Sequence, residues 1–376
     1  MKDDTQTVVR DSQPPDATDN ANYFSAYAYL YHQMDMLEDS HRTGQYYQAI
    51  MSNPESFRDK VVLDVGAGTC ILSLMAAKAG ARKVYAVEAT EMAQRARKIV
   101  AANGQSDVIH VIQGMVETVE LPSKVDVIIS EWMGYLLLRE SMLDSVLVAR
   151  DRFLKPGGAL FPSHATLFLA PLGPMKVLEE KWNTYEEDKL HFEKFASDMQ
   201  REYDADFSCM REEFVEEQRK YYLQSNSFTN LTPRQLGGNP KPLLDIDLST
   251  VQLADLSDTK EPLRCTCRIA RDREIAGFCG FFDVKFLGST QNPAEEEVTL
   301  TTMPTNGSTT HWGQQAFGFF PPLDARRGDL LDFTVFVRRQ EPNHRLLMLD
   351  TDIVLYALDG EERKVKARRK ETYFIN

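Results

Sequence analysis

Hydrophobic and polar positions change period twice along this chain. Aromatic residues first recur at helical spacing, at Tyr23, Phe24, Tyr27 and Tyr31. The same period runs on through Met34, Leu37 and His41 toward Tyr46, which predicts a helical N-terminal layer. Short apolar runs then alternate with amphipathic stretches. Val61–Val65, Lys83–Glu88, Val108–Gln113 and Val125–Ser130 predict buried strands. Cys70–Lys78, stopped by Gly80, and Glu91–Asn103 predict helices. Strands and helices in alternation predict an α/β fold with a parallel, doubly wound sheet, a Rossmann-like architecture. Leu154–Leu160, with Pro156, Gly157 and Gly158, reads as a turn leading into a strand.

The period changes again near Phe161-Pro162. Residues from about 174 to 222 are highly charged and helical in pattern, with Trp182, Leu190, Phe192 and Phe195 spaced through them. After Pro240 the text is strand-like, at Leu243–Leu248, Phe281–Phe286, Phe333–Val337 and Ile353–Tyr356, with turns at Asn306-Gly307 and Asp359-Gly360. A second, all-β domain is predicted. The basic run Arg363–Lys370 alternates with Val365 and Ala367, so it reads as an exposed strand rather than a nucleic-acid patch.

Composition sharpens this picture. At about 100–200 residues per domain, 376 residues suggest two domains, and 43% hydrophobic residues give globular composition. Residues 1–22 are polar, with Pro14-Pro15, and are expected to form a flexible tail. No apolar run approaches the ~18 residues of a membrane span, and Met1–Thr5 does not open a signal peptide. The expected location is therefore intracellular, nuclear or cytoplasmic, with no membrane partner. Acids outnumber bases by 56 to 43, a formal charge of −13. That argues against direct nucleic-acid binding and suits a basic partner. Cys70, Cys209, Cys265, Cys267 and Cys279 are too scattered for a disulfide framework or a zinc site, so no metal is expected.

Candidate chemistry starts at Asp64-x-Gly66-x-Gly68, between a strand and a helix. Glycines let the backbone approach a ligand closely. Glu88 ends the next strand, where a carboxylate can bridge ribose hydroxyls. Ile71 stands in place of a third glycine, and Asp64 would repel a pyrophosphate. A dehydrogenase cofactor therefore fits poorly. A cationic ligand with ribose and adenine, such as S-adenosyl-L-methionine, fits better, and Glu117 lies after the following strand for the adenine amino group.

Ser130–Glu140 follows a buried strand at its C-terminal end, where doubly wound folds place their sites. Glu131 and Glu140 bracket an apolar loop containing Trp132, Tyr135 and three leucines. Unpaired carboxylates in such a pocket would repel, and one would take up a proton. A guanidinium would cancel both charges through planar, bidentate hydrogen bonds. A non-catalytic arginine-binding module is the competing reading, but the glycine loop and Glu88 are present beside both acids.

These segments resemble the protein arginine methyltransferase family. Ser130–Glu140 is similar to its double-glutamate loop and Tyr23–Tyr27 to its YFxxY helix. Val62–Gly68 is similar to its first cofactor motif, and Thr310-His311-Trp312 to its Thr-His-Trp loop. The resemblance covers residues 23 to 312, with barrel-like text beyond. It implies a cofactor-binding domain with N-terminal lid helices over 23–162. A β-barrel substrate domain would follow over 163–376, with a helical dimerisation arm at about 174–216 and a homodimer built through it.

It also implies residue roles. Gly66 would pass beneath S-adenosylmethionine, Glu88 would hold its ribose, Glu117 its adenine and Arg42 its carboxylate. Tyr27 would close the lid, and Gln33 stands where the family usually carries histidine. Glu131 and Glu140 would grip the substrate guanidinium, and His311 would sit near Asp39 across the domain boundary. Met36 and Met142 fall where members that form asymmetric dimethylarginine (type I) carry methionines. Substrates would be basic proteins such as histone tails and glycine–arginine-rich RNA-binding proteins.

Overall fold

A computed structural model describes residues 23–375, apart from positions 26, 258, 308, 342 and 361. The expected tail, 1–22, lies outside the described residues. Five parallel strands build the first sheet: β1 (Val61–Val65), β2 (Lys83–Glu88), β3 (Ile109–Gln113), β4 (Val125–Ile129) and β5 (Leu154–Phe161). Their order is β3-β2-β1-β4-β5. Every residue of β1 is buried, as expected for a β-branched run covered on both faces. The chain reverses direction across the sheet between β1 and β4, and Val62 pairs with Val84 on one side and Val127 on the other. That reversal leaves a crevice at the C-terminal strand ends.

The predicted doubly wound sheet is thus present, with two local differences. Leu154–Leu160 is strand from its first residue rather than a turn. Its register against β4 shifts between Val125 and Val127, and this bulge absorbs the glycines. The N-terminal helical period is also interrupted. Tyr23–Ser25 and Tyr27 are helical, α1 spans Leu30–Glu38 and α2 spans Ser40–Met51, followed by α3 (Pro54–Phe57), α4 (Ile71–Lys78), α5 (Met92–Ala102) and α6 (Met142–Phe153). Asp39 separates α1 from α2 because its carboxylate caps the second, accepting from the Arg42 backbone N–H at 2.9 Å.

After Phe161 the sheets are antiparallel. One contains β6 (His164–Leu172), β7 (Ser227–Thr229), β8 (Lys241–Asp247), β10 (Arg273–Gly288), β11 (Pro293–Thr301) and β12 (Gln314–Ala325). The other runs β15 (Glu362–Ile375), β14 (Asn343–Asp359), β13 (Leu330–Gln340), β9 (Leu263–Arg268). Phe278 of β10 meets Phe333 and Tyr373 of the second sheet, each at 5.4 Å between ring centroids. The basic run is the strand expected: Arg363, Lys366 and Arg368 pair with Asp332, Asp329 and Asp352. Between β6 and β7 an excursion carries α7 (Lys176–Tyr203) and α8 (Arg211–Gln218), folded together by a Phe192–Phe214 stack at 4.6 Å. No helix among the described residues is long and apolar enough to cross a membrane.

The two domains share one core. Phe286 of β10 packs against Tyr46 and Phe161 of the first domain, at 4.9 and 6.3 Å between ring centroids. Asn53, fully buried after α2, clasps β11: its Nδ2 donates to Glu296 O at 3.0 Å, and its Oδ1 accepts from Glu296 N at 2.7 Å. It also donates to Ala49 O at 2.8 Å. Asn53→Ala would strand the Glu296 groups, and each unsatisfied buried group costs about 1–3 kcal/mol. The expected loss is about 3 kcal/mol, measurable as a fall in urea midpoint with an unchanged slope.

Candidate active site

The crevice between β1 and β4 opens into a cavity lined by Gln33, Arg42, Gly66, Glu88, Glu131 and Glu140. Gly66 and Gly68 form its floor with φ of 70° and 52°, a region that favours glycine. A Cβ on Gly66 would lie 2.7 Å from Met142 Cε. Glu88, at the end of β2, is buried and already engaged. Its Oε2 accepts from Gly68 N at 2.8 Å, and its Oε1 accepts from the N–H and hydroxyl of Thr90 at 2.8 and 2.6 Å. Asp64 is buried beside the loop, and burial pushes its carboxyl up to about 7, although Ser73 donates to Oδ2 at 2.6 Å. Asp64 Oδ1 is buried without a partner. Gln33 and Met36 line the same cavity, and Gln33 donates to Tyr27 O at 3.0 Å. A second cavity shares Gly66, Ala89 and Met142 with the first and reaches Glu117, which accepts from Ser145 at 2.5 Å.

Glu131 and Glu140 both face the first cavity. The end of β4 is tied down first: Ser130 Oγ donates to Val65 O at 2.8 Å, and Tyr46 donates to Ser130 O at 2.9 Å. Between the acids the loop doubles back. A Gly134–Leu137 bridge is closed by left-handed Leu136 and Leu137, and a Cβ on Gly134 would lie 1.8 Å from Arg139 O. Glu131 Oε2 accepts from Arg42 Nη2 at 2.7 Å and Nε at 3.0 Å, and Oε1 accepts from Met133 N at 3.0 Å. Glu140 Oε2 accepts from Tyr27 at 2.8 Å. Burial raises the Glu140 carboxyl, and this outweighs the Tyr27 bond and the nearby arginines. Both acids therefore have protein partners, and Arg42 is spent on Glu131.

The barrel closes the site from the other side. Asp39, between α1 and α2, accepts from His311 Nδ1 at 2.7 Å and from His311 N at 2.9 Å. Trp312 Nε1 donates to Met133 O at 2.8 Å. Burial opposes ionisation of Asp39, yet the His311 and Arg42 hydrogen bonds prevail and hold it down at about 2. The β13–β14 hairpin supplies another contact, with Arg345 against Glu140 and Tyr23. No His, Cys, Asp and Glu cluster among the described residues is arranged to hold a metal.

The donor set suits a cationic ligand. Three carboxylates, Glu88, Glu131 and Glu140, border the crevice with Arg42, and Asp64 lies buried behind its glycine loop. Asp64 offers a buried oxygen with no partner, and glycine backbone forms the floor. These features fit the ammonium, sulfonium and ribose of S-adenosylmethionine, with Arg42 as the single match for its carboxylate.

Two family models match the two halves of this architecture. Residues 62–158 match the methyltransferase domain. Residues 164–358 match the arginine methyltransferase oligomerization subdomain. The chain is 42% identical over 357 residues to protein arginine N-methyltransferase PRMT10 of Arabidopsis thaliana, covering 95% of this chain and 92% of that one. The chain belongs to the protein arginine N-methyltransferase family. A crystal structure of the Arabidopsis PRMT10, described as a uniquely open conformation, superposes with a TM-score of 0.90 at 41% identity, over 94% of this chain and all of that one. A Trypanosoma brucei PRMT1 enzyme–prozyme complex with AdoHcy gives 0.77 at 33% identity, over 93% and 100%. The family that the sequence motifs resemble, and the fold it implied, are both as found.

In this arginine methyltransferase most of the sequence-predicted site residues line the two adjoining cavities, Glu117 the second and the others the first. Asp64, Asp39 and His311 line neither: Asp64 is buried behind the glycine loop, and Asp39 meets His311 and the Arg42 backbone N–H. Tyr46, Ser130, Ser73, Thr90 and Arg345 were not foreseen. Tyr46 lies at the end of the helical period, but nothing in the sequence placed its hydroxyl on Ser130 O. Arg345 carries no local signal at all.

The depressed Asp39 carboxyl has a consequence for stability. A folded value of about 2 against about 3.9 unfolded gives stabilisation that is fully present above pH 4 and is lost as pH falls toward 2. Asp39→Asn should cost about 2 kcal/mol at pH 7. The gap from wild type should hold flat between pH 5 and 8 and shrink below about pH 4 in denaturant titrations.

Proposed function

We propose that this protein transfers methyl groups from S-adenosylmethionine to guanidinium nitrogens of protein arginines, giving monomethylarginine and then asymmetric dimethylarginine. The observation that carries the reading is the pair Glu131 and Glu140, two carboxylates facing one cavity from a single loop, beside the glycine floor. Asp64, Gly66, Gly68 and Glu88 hold the cofactor with Gln33, Met36 and Tyr27 above it, and Glu117 takes the adenine. When bound, the cofactor supplies an electrophilic methyl group. Arg42, here paired with Glu131, would also be the residue to hold the cofactor carboxylate, and that exchange would free Glu131 for the substrate. The Arg42–Glu131 pair would thereby couple the two binding events.

Glu131 and Glu140 then hold the guanidinium so that one nitrogen is aimed at the methyl carbon. Full prior deprotonation of an arginine with a pKa near 13 would cost about 8 kcal/mol at pH 7, so the proton leaves during or after transfer. Glu140, whose burial raises its proton affinity, is a fitting acceptor. The His311–Asp39 pair is the other group within the site. Met36 and Met142 line the cavity wall. Flexible thioethers leave room for a methylated nitrogen to rebind, which supports the asymmetric product. The net charge of −13 favours basic substrates, such as histone tails and glycine–arginine-rich segments.

Assembly follows the same reading. The excursion α7–α8 exposes Leu190, Phe195, Tyr203, Phe207 and Met210, and the lid layer exposes Tyr29, Leu30, Tyr31 and Met34. An arm docked on the lid helices of a second copy would cover both patches and brace the site.

Mass spectrometry of an arginine-rich peptide incubated with protein and S-adenosylmethionine tests the activity. Glu131→Gln and Glu140→Gln should each lower turnover by about 10²-fold or more while S-adenosylhomocysteine still binds. Near-normal turnover in both would sink the mechanism, and symmetric dimethylarginine as sole product would refute the type I reading. Replacing residues 176–218 by a short glycine–serine linker should give a poorly active monomer in sedimentation and rate assays. A fully active monomer would disprove the arm's role.

A further inference from the structure

Glu140 and Ser141 are consecutive non-glycine residues in the left-handed region, with φ of 79° and 58°. Such a pair persists only where its surroundings over-determine it. Here the surroundings belong to the barrel. Glu140 N donates to Arg345 O at 2.8 Å, and Arg345 Nη1 donates back to Glu140 O at 2.7 Å. Ser141 Oγ donates to His344 O at 2.6 Å. One turn into α6 (Met142–Phe153), Asp144 forms a bidentate ion pair with Arg339 on the opposite strand of the hairpin. Asn343 accepts from Arg345 N at 2.9 Å and stiffens the hairpin itself.

The same guanidinium faces the lid. Its carbon lies 3.9 Å from the centroid of the Tyr23 ring and 5.3 Å from that of Phe24. Tyr23 and Phe24 border both cavities. Tyr27, on the same helical segment, donates to the Glu140 carboxylate. The lid thus meets Glu140 twice, once through the carboxylate and once through its backbone by way of Arg345. A planar guanidinium can donate in its plane while offering its face to an aromatic ring, and a lysine ammonium cannot do both as well.

We propose that Arg345 is a positioning residue that latches the Tyr23–Tyr27 lid to the strained backbone of Glu140, so that covering the cofactor crevice and aiming the carboxylate are one event. What Glu140 is aimed at rests on the arginine methyltransferase reading above. The latch itself does not.

The test uses the full chain with Arg345→Ala and Arg345→Lys, each checked by thermal melting. The Arg345 carbonyl, which holds Glu140 N, survives both changes. Three readouts apply: S-adenosylhomocysteine affinity by calorimetry, hydrogen exchange of the 23–27 segment with that ligand bound, and kcat against KM for an arginine peptide. Arg345→Ala should weaken S-adenosylhomocysteine by about fivefold, as for loss of a cation–π contact, and speed exchange of the lid. Its kcat should fall on the order of 10²-fold, the scale of a misplaced reacting group, with little change in KM. Arg345→Lys should recover lid protection but little of the kcat. If Arg345→Ala fails to fold, this split in the lysine variant carries the test.

Tyr23→Leu should weaken S-adenosylhomocysteine by itself but add nothing in the Arg345→Ala background, because both remove one contact. Wild-type affinity and exchange in folded Arg345→Ala, or losses that simply add, would overturn the latch. If affinity and exchange shift as expected while the wild-type protein methylates no peptide, the latch stands and the assigned reaction fails.

Discussion

Two carboxylates taken out of water on one loop cannot stand beside each other uncompensated, and this constraint organises the molecule. Each acid draws a partner from a different element. Glu131 is held by Arg42 of α2, and Glu140 by Tyr27 of the lid segment. Glu140 also draws its backbone partner from the barrel. The loop that carries both acids is therefore held jointly by lid, sheet and barrel. Breaking a buried pair is costly because the surviving charge is left stranded. That cost gives the three parts a shared reason to stay together.

The fold supplies the place for this loop. The strand order turns back between β1 and β4, so their C-terminal ends diverge into a crevice. Ser130 and Tyr46 fix the point where β4 ends. Asp39 then does two jobs from one side chain: it caps α2 and receives His311 from the barrel. Trp312, the next residue, anchors on Met133 inside the acidic loop. The seam between domains is thus the site wall, and interdomain packing and site geometry are not separable.

Glu131 and Glu140 both have hydrogen-bond partners within the protein. On the function proposed above, a cofactor carboxylate would compete for Arg42, and an incoming guanidinium would replace the partners of both acids. Binding would then exchange one set of partners for another rather than bury bare ions, which avoids stranding a charge in a dry pocket.

The sequence by itself determined the two architectures and most of the chemistry. Period-2 and period-3.6 patterns are local, so β1 and β2 were legible residue by residue. The charged stretch was legible only in outline, because its helical pattern runs on past Tyr203, where the chain turns between α7 and α8. Glycines at Gly66 and Gly68 and the acids Glu88, Glu131 and Glu140 were legible because ligand contact demands particular residue types at strand ends. The break at Asp39 was less so, since a helical period continues through it and only its capping bond shows the interruption. Tertiary structure alone decided that Arg42 pairs with Glu131 and that Ser73 meets Asp64. It alone brought Arg345, more than 200 residues from Glu140, onto that backbone. Those contacts depend on how two sheets and a hairpin are docked. Docking is set by summed side-chain packing over the whole core, which no single stretch of sequence encodes.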